Sequence, residues 1–487
     1  MHGFPAAIAY YQECLDLRQE LFVEPHPAIA LPLLGLGRSW FQEQQLDSAW
    51  HYFFLAQQML GQAFVKQAAS DPQSWLEATG GMAKVLEQQY IKTQNLTFLA
   101  ALELQLDSCQ QFLQEQRAGF AYQGDKILLA QAAEAVFSAA FTANFKAWES
   151  TQDQQYLRKC FAVGAYLKGQ QLYEAFKKTY AQNFAGLPAE WLEREQSFYN
   201  RYQTLVQKED KRALLPQVSN SSVDAQLLDL NTDHQAFVAA LKAQFPEYYR
   251  LKFELPSLGM DFVRRSLLQT DECFLSYFVD EQASYLILLR QDTVIAQRLA
   301  ITSAELGRLV EALRAGIVDF YQHPAPPDNL YTKMAEQYTT TAARLYDILV
   351  APAAEWLTPR VYVEASGPLQ EIPFDALLEK PTLNAQDFSG HAYLGRDHCI
   401  SYASSAALLW EMRNKQHRFN PSGSVLALAP FFHTDQAAEQ VFVGRGDVLA
   451  PVDTFRLLPY SGSEVLGVAQ LLGGKAWLGK AASWEAL

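Results

Sequence analysis

Residues 360–378 constrain the fold more than any other stretch of this sequence. Val361, Tyr362 and Val363 form a short β-favouring run, closed by the turn residues Ser366, Gly367 and Pro368. Pro373 bars a continuous helix through the next segment, while Leu369, Ile372, Phe374, Leu377 and Leu378 supply apolar contacts around it. Just upstream, a helical pattern carrying Leu345, Ile348 and Leu349 is stopped by Pro352. Helix, strand, turn and Pro-Phe corner, in that order, open an α/β layer, and Phe374 is expected to be buried against its sheet.

The segments around this stretch extend the layer. Three β-favouring runs, 274–279, 284–289 and 293–296, are punctuated by Asp280-Glu281 and Gln291-Asp292, as tight hairpin turns would be. Two helical segments follow, 303–318 with Thr302 or Ser303 as its cap, and 329–350. Further strands are expected near Val361, Ile400, Val425 and Ala476, separated by helices or loops. Strand alternating with helix predicts a parallel sheet covered on both faces.

The first half carries a helical period instead. From Leu33 onward the chain follows the tetratricopeptide signature. Leu33 takes the Trp place, Leu36-Gly37 the Leu-Gly, Trp40 the Tyr, Ala49 with Phe53 the Ala-x3-Phe, and Gly61 the closing Pro. Gly37 and Ala49 let two helices approach, and Trp40 and Phe53 fill the space between them. Ala7 matches Ala49 and Tyr11 matches Phe53, an offset of about 42 residues. A second self-similarity pairs Tyr90, Thr93, Gln94, Asn95, Phe98 and Leu99 with Trp148, Thr151, Gln152, Asp153, Tyr156 and Leu157, about 58 residues later. Asn95 and Asp153 sit where an inter-helix turn needs an N-cap. Residues up to about 210 are therefore expected to be helical, with strands only after about 252. The Ser-, Asn- and Asp-rich stretch 217–233 reads as a mobile linker.

Composition narrows the function classes. An apolar share of 49% with 19% charged residues fits a packed protein rather than a disordered one. The net charge of −14, with no Lys/Arg-rich run, argues against nucleic acid or an anionic membrane as partner. Cys14, Cys109, Cys160, Cys273 and Cys399 lie far apart with no CxxC pair, which suits reduced thiols in a cytoplasmic protein better than a disulfide framework or a zinc site. Neither a signal-peptide pattern nor an apolar run of membrane-spanning length is present, so the reading is cytoplasmic, with no membrane partner.

Leu-x-x-Ile-Pro-Phe-Asp-Ala-Leu at 369–377, behind the proline-stopped helix, the aliphatic strand and the Gly turn, resembles the opening of a CHAT domain. That is the caspase- and separase-like peptidase module usually found behind tetratricopeptide repeats. Tyr393-Leu394-Gly395 with the block 400–405 resembles the family's second conserved block, and 424–430 its next strand. Leu458-Pro459, Ser461, Glu464-Val465 and Leu471-Leu472-Gly473-Gly474 resemble the helix that follows. Where the family often has Pro-Asp-Gly, this chain has Ala365-Ser366-Gly367. The segments 185–188 and 244–252 resemble the family's junction and lead-in. The organisation implied is a tetratricopeptide-like helical array over 1–210, a linker and lead-in over 211–255, and an incomplete α/β caspase-like domain over 256–487.

Family resemblance implies a cysteine endopeptidase in which a His is base to a Cys thiolate and backbone N–H groups hold the oxyanion. Family order puts both residues beyond Leu471-Leu472-Gly473-Gly474 and the strand after it, and nothing here matches either motif. The sequence is thus expected to be a fragment, with no catalytic, cofactor-binding or metal-binding residue assigned. His398-Cys399 is rejected because adjacent residues on a strand point to opposite faces. His433 has no visible partner, and Arg445-Gly446-Asp447 is assigned no role. Gly474 to Lys480 has P-loop spacing, but Ala481 replaces the magnesium-binding Ser/Thr and Trp477 is bulky for a phosphate cradle. The intact protein is read as an endopeptidase whose helical array recruits a protein partner or substrate. The alternative is a non-catalytic interaction scaffold, and the sequence downstream of Leu487 would decide between them.

Overall fold

The computed structural model describes residues 4–65, 71–119, 123–168, 187–213, 221–246, 248–249, 258–322, 329–380, 382, 384–414, 425–429 and 460–482. The chain divides into two compact units, 1–413 and 414–487. The first unit opens with α1 (Phe4–Leu21), α2 (Pro27–Gln42), α3 (Leu46–Val65), α4 (Pro72–Thr93), α5 (Leu96–Gly119), α6 (Gln123–Thr151), α7 (Gln154–Leu167), α8 (Ala189–Ala213) and α9 (Ser221–Gln244). Among the described residues no strand precedes Glu272, as the helical period predicts.

Small residues set the helix spacing. A Cβ at Gly37 of α2 would lie 2.7 Å from the Phe53 ring of α3, and one at Gly81 of α4 only 2.5 Å from the same ring. Phe53 therefore fills the gap on which the Gly37–Ala49 reading depends, with α2 on one side and α4 on the other. Tyr11 of α1 sits in the same way against Gly35 of α2. The 58-residue self-similarity is a duplicated turn. Gln94 (φ 54°) and Gln152 (φ 57°) both adopt the left-handed conformation, and each donates its backbone N–H to the carbonyl four residues back, Tyr90 or Trp148, at 2.7 Å. Asn95 Oδ1 then accepts from Thr97 N at 3.0 Å, and Asp153 Oδ1 from Gln155 N at 2.9 Å. These are the expected N-caps.

One expectation fails. The described part of 217–233 is helical, lying within α9 from Ser221 onward. Leu230, Phe237, Val238 and Leu241 form an apolar stripe packed with Phe198, Tyr202 and Leu205 of α8. That stripe outweighs the polar residues that suggested a linker. Residues 185–186, 217–220 and 250–252 of the junction, linker and lead-in readings lie outside the described residues.

The sheet follows: β1 (Glu272–Val279), β2 (Ser284–Leu289), β3 (Val294–Leu299), β4 (Arg360–Glu364) and β5 (Cys399–Tyr402), in the order β3-β2-β1-β4-β5. The two hairpins close where expected, with Asp280 N donating to Ala283 O at 3.0 Å and Arg290 N to Thr293 O at 2.9 Å. They make half of the sheet antiparallel; only β1-β4 and β4-β5 are parallel. The parallel pairing expected from strand–helix alternation is present in β1-β4 and β4-β5, and the two hairpins make the sheet as a whole mixed. Helices α10 (Ser303–Gln322) and α11 (Leu330–Leu349) cross from β3 to β4. Thr302 caps α10 reciprocally with Glu305: Thr302 Oγ1 accepts from Glu305 N at 3.2 Å and Thr302 N donates to Glu305 Oε2 at 3.1 Å.

Both faces of this sheet are covered. On one, Phe274, Phe278 and Tyr285 meet α6, where the Phe141 and Phe278 rings stack 4.0 Å apart and Phe145 lies 4.7 Å from Tyr285. On the other, Leu275, Tyr277, Leu286 and Leu288 pack with Leu306, Val310 and Leu345 of α10 and α11 and with the Pro-Phe corner. Phe374 is 1% exposed there, its ring 5.5 Å from Tyr277. Helix α12 (Ala406–Asn414) closes the unit.

In the second unit, β6 (Leu426–Ala429) pairs in parallel with β7 (Lys475–Leu478), joined to helix α13 (Ser461–Leu472), which ends on the left-handed Gly473 (φ 69°). The P-loop-like spacing is occupied by β7 and a single turn at Gly479–Ala481, so no loop opens onto a helix there. Residues 424, 430, His433, Arg445-Gly446-Asp447 and Leu458-Pro459 lie outside the described residues. Among the described residues no helix is long and apolar enough to cross a membrane, and no His/Cys/Asp/Glu cluster has metal-binding geometry.

Candidate functional site

In sheets of this kind ligands gather at the carboxyl ends of parallel strands. Here those ends belong to β1, β4 and β5, with Ser276 paired to Glu364 and Val363 to Tyr402. Ser276 and Glu364 share the face that meets the helical region. The extended backbone of Lys168, immediately after α7, brings its side chain to them. Lys168 Nζ donates to Glu364 Oε2 at 2.7 Å and to Ser276 Oγ at 2.8 Å, and Ser276 Oγ donates to Glu364 Oε2 at 2.6 Å. The other carboxylate oxygen, Glu364 Oε1, accepts from the Ala406 backbone N–H at 3.1 Å. Ala406 is the first residue of α12, whose first turn is also held by Ser405 Oγ accepting from Leu408 N at 3.2 Å. The carboxylate thus sits where a helix start favours negative charge.

All three side chains are buried, Glu364 completely. Burial pulls the Lys168 ammonium below its ordinary range, and the Glu364 charge and hydrogen bond resist that pull. Ser276 is buried, gives its hydroxyl proton to Glu364 and accepts from Lys168, so its bonds serve the cluster. It is a clamp joining the helical region to the centre of the sheet.

Outside the clamp, the Tyr402 hydroxyl donates to Asp375 Oδ1 and accepts from Phe374 N, both at 2.7 Å. Burial of the hydroxyl, with the Asp375 interaction, pushes this phenol up to about 12. Ser366 Oγ, in the turn after β4, donates to Tyr277 O at 3.1 Å. These bonds tie the Pro-Phe corner to the ends of β1 and β5. At the opposite end of the sheet, Glu272 receives Arg413 at 2.7 Å and Arg360 at 3.3 Å, fastening α12 to β1.

The sequence-weighed residues fall as follows. His398 stands just before β5, its Nδ1 2.8 Å from Thr358 O, where it holds the loop that leads into β4. Cys399 is exposed at the start of β5. Cys109, Cys160 and Cys273 are buried, and burial raises each thiol, Cys109 up to about 12, which disfavours the nucleophilic thiolate. Sequence reasoning missed the clamp. The available signal was polarity out of place: Ser276 inside an apolar strand and Glu364 ending an aliphatic one both demand a buried partner. Which residue supplies it was unreadable, because Lys168 lies almost two hundred positions from Glu364.

A CHAT domain family model matches residues 339–487, from within α11 through β7. No curated protein is similar enough to this chain to count as a match.

Proposed function

We propose that this protein is a cysteine endopeptidase of the caspase-like type, in which the helical region takes up a protein partner and transmits that event to the sheet. The observation that carries the reading is the Lys168–Ser276–Glu364 clamp, which fixes the end of α7 to the carboxyl end of β4. A partner that shifts α7 would act directly on β4, on the turn after it and, through Ala406, on α12. The CHAT match beginning in α11 supports the peptidase class. The tetratricopeptide-like spacing, with Phe53 packed against Gly37 and Gly81, supports a repeat array as the recruiting part. Within 1–487 no residue is assigned a catalytic role.

The test treats the protein with a cysteine-reactive peptide electrophile, with and without cell-extract fractions that bind the helical region. Labelled residues are located by mass spectrometry. The expected result is partner-stimulated labelling at a single cysteine, with stimulation reduced by Lys168→Met while partner binding persists. Labelling abolished by Cys399→Ala, or stimulation indifferent to Lys168→Met, would overturn it.

A further inference from the structure

On the sheet side away from the clamp, a cavity of about 410 Å³ opens between α10, α11 and the residues Ala376, Phe388 and Tyr393. That volume is in the range of small-ligand pockets. Gly316 makes the floor possible: a Cβ there would lie 2.8 Å from the Tyr338 backbone nitrogen, so α10 and α11 meet at backbone distance. Above that contact the walls are Met334, Tyr338 and Tyr393, and the half-exposed Tyr331 (41%) and Phe388 (38%) form the mouth. The Phe388 ring stands 6.4 Å from Tyr331 at 60° and 6.2 Å from Tyr338 at 31°.

The chemistry of the lining selects the guest. Among the described residues no Asp, Glu, Lys or Arg lines the cavity. The Tyr338 hydroxyl donates to Ala376 O at 2.6 Å and is also hydrogen-bonded with Tyr393, so the phenols use their polar ends on each other and on the backbone. What they offer a guest is ring surface. A cation is disfavoured, because Arg396 already lies 5.5 Å from the centre of the Tyr393 ring. An anion is disfavoured by Asp375, whose charge acts on Tyr338. We propose that this cavity binds an uncharged planar aromatic ring about the size of an indole, held by stacked and edge contacts with Phe388 and Tyr338 and by the Met334 thioether. The ring reaches it as a free small molecule or as the side chain of an extended peptide.

Ligand-observed saturation-transfer NMR on the 487-residue chain tests this, with indole as one probe and an end-blocked Ala-Trp-Ala peptide as the other. Indole is expected to receive saturation. Ala335→Leu, which fills the cavity from a 3% exposed position, should abolish the transfer. Phe388→Ala, at an exposed loop position, should weaken binding about tenfold with an unchanged melting temperature. If Ala335→Leu does not fold, Phe388→Ala alone decides. Tighter binding of the peptide than of indole assigns the site to a protein's aromatic side chain, and equal or weaker binding to a small molecule. Indole transfer indifferent to Phe388→Ala, or binding of tetramethylammonium in place of indole, would overturn the proposal.

Discussion

The two faces of the five-stranded sheet are built from the same strands by alternation, yet they differ in kind. The face toward α10 and α11 is apolar and covered by helices that follow the strands closely in sequence. Its deepest polar group, the Tyr277 hydroxyl, is settled by one bond of 2.9 Å to Leu349 O. The face toward the helical region combines stacked rings with charge: Phe141 on Phe278, the Lys168–Glu364 pair, and the Ser138 hydroxyl donating to Asp280. A dry face made of local neighbours is cheap to specify. A face that buries charge against helices more than a hundred residues away gains specificity of docking instead, because each buried group tolerates only its own partner.

The largest effects test that difference directly. Phe374→Ala on the apolar face should cost about 3–5 kcal/mol from lost transfer energy plus a cavity, and Phe374→Leu should recover much of it. On the charged face Lys168→Met should cost a similar ~3–5 kcal/mol by leaving Glu364 buried and unpaired. The remedy differs: adding Glu364→Leu to Lys168→Met should restore most of the loss. Hydrogen exchange at the β1 and β4 amides reads both. If the double variant is no more protected than Lys168→Met alone, the pair is not the source of the cost and the contrast between faces collapses.

A smaller test uses neighbours on one strand. Ser276→Ala removes a hydroxyl bonded to two charged groups and should cost about 1–3 kcal/mol, while Tyr277→Phe should cost about 1 kcal/mol. Double-mutant cycles with Lys168→Met separate them. Ser276→Ala should couple strongly, and Tyr277→Phe should add independently, because it points to the other face.

What the sequence made readable tracks how local each cause is. Asp280-Glu281 and Gln291-Asp292 marked the two hairpins because a turn is decided by residues inside it. Thr302 with Glu305, and Asn95 and Asp153 at the duplicated turn, were readable for the same reason. Burial of Phe374 followed from Pro373 forcing a corner among apolar residues. The α9 helix was misread over 221–233 because its identity depends on an apolar stripe meeting Phe198 and Tyr202, partners that local composition does not reveal. The strand order β3-β2-β1-β4-β5 was not read, because joining the hairpins to the parallel strands depends on contacts distant in sequence. At the candidate site, the turn and corner were visible, while the Lys168 link was not: a lysine after a helix has no sequence mark that distinguishes a buried bridge from a solvated side chain.

The remaining expected effect is a pH dependence confined to the charged face. Glu87 of α4 is half-buried beside the β1–β2 turn, and burial, reinforced by the Asp280 charge and opposed by Lys84, raises its carboxyl from 4.5 to about 8. Glu134 of α6 is raised by burial, then by Asp280 and Glu281, while Tyr285 of β2, with Arg298 near it, faces the same cluster. The folded protein keeps a proton on Glu87 that the unfolded chain releases above 4.5. Its contribution to stability is therefore fully present below 4.5 and is lost as pH rises through about 8. Glu87→Gln keeps the neutral shape at every pH. At about pH 9 it should be more stable than the parent by about 1–2 kcal/mol, allowing for solvent that reaches the partly exposed side chain, and nearly equal to it at about pH 4. Urea midpoints of parent and variant at both pH values measure this, with Tyr277→Phe as the control from the apolar face, whose offset from the parent should not change with pH. A pH-dependent offset for Tyr277→Phe as large as that for Glu87→Gln would mean that alkaline loosening spreads through the whole sheet. The two faces would then be one cooperative body, and the charge on one side would have no separate consequence.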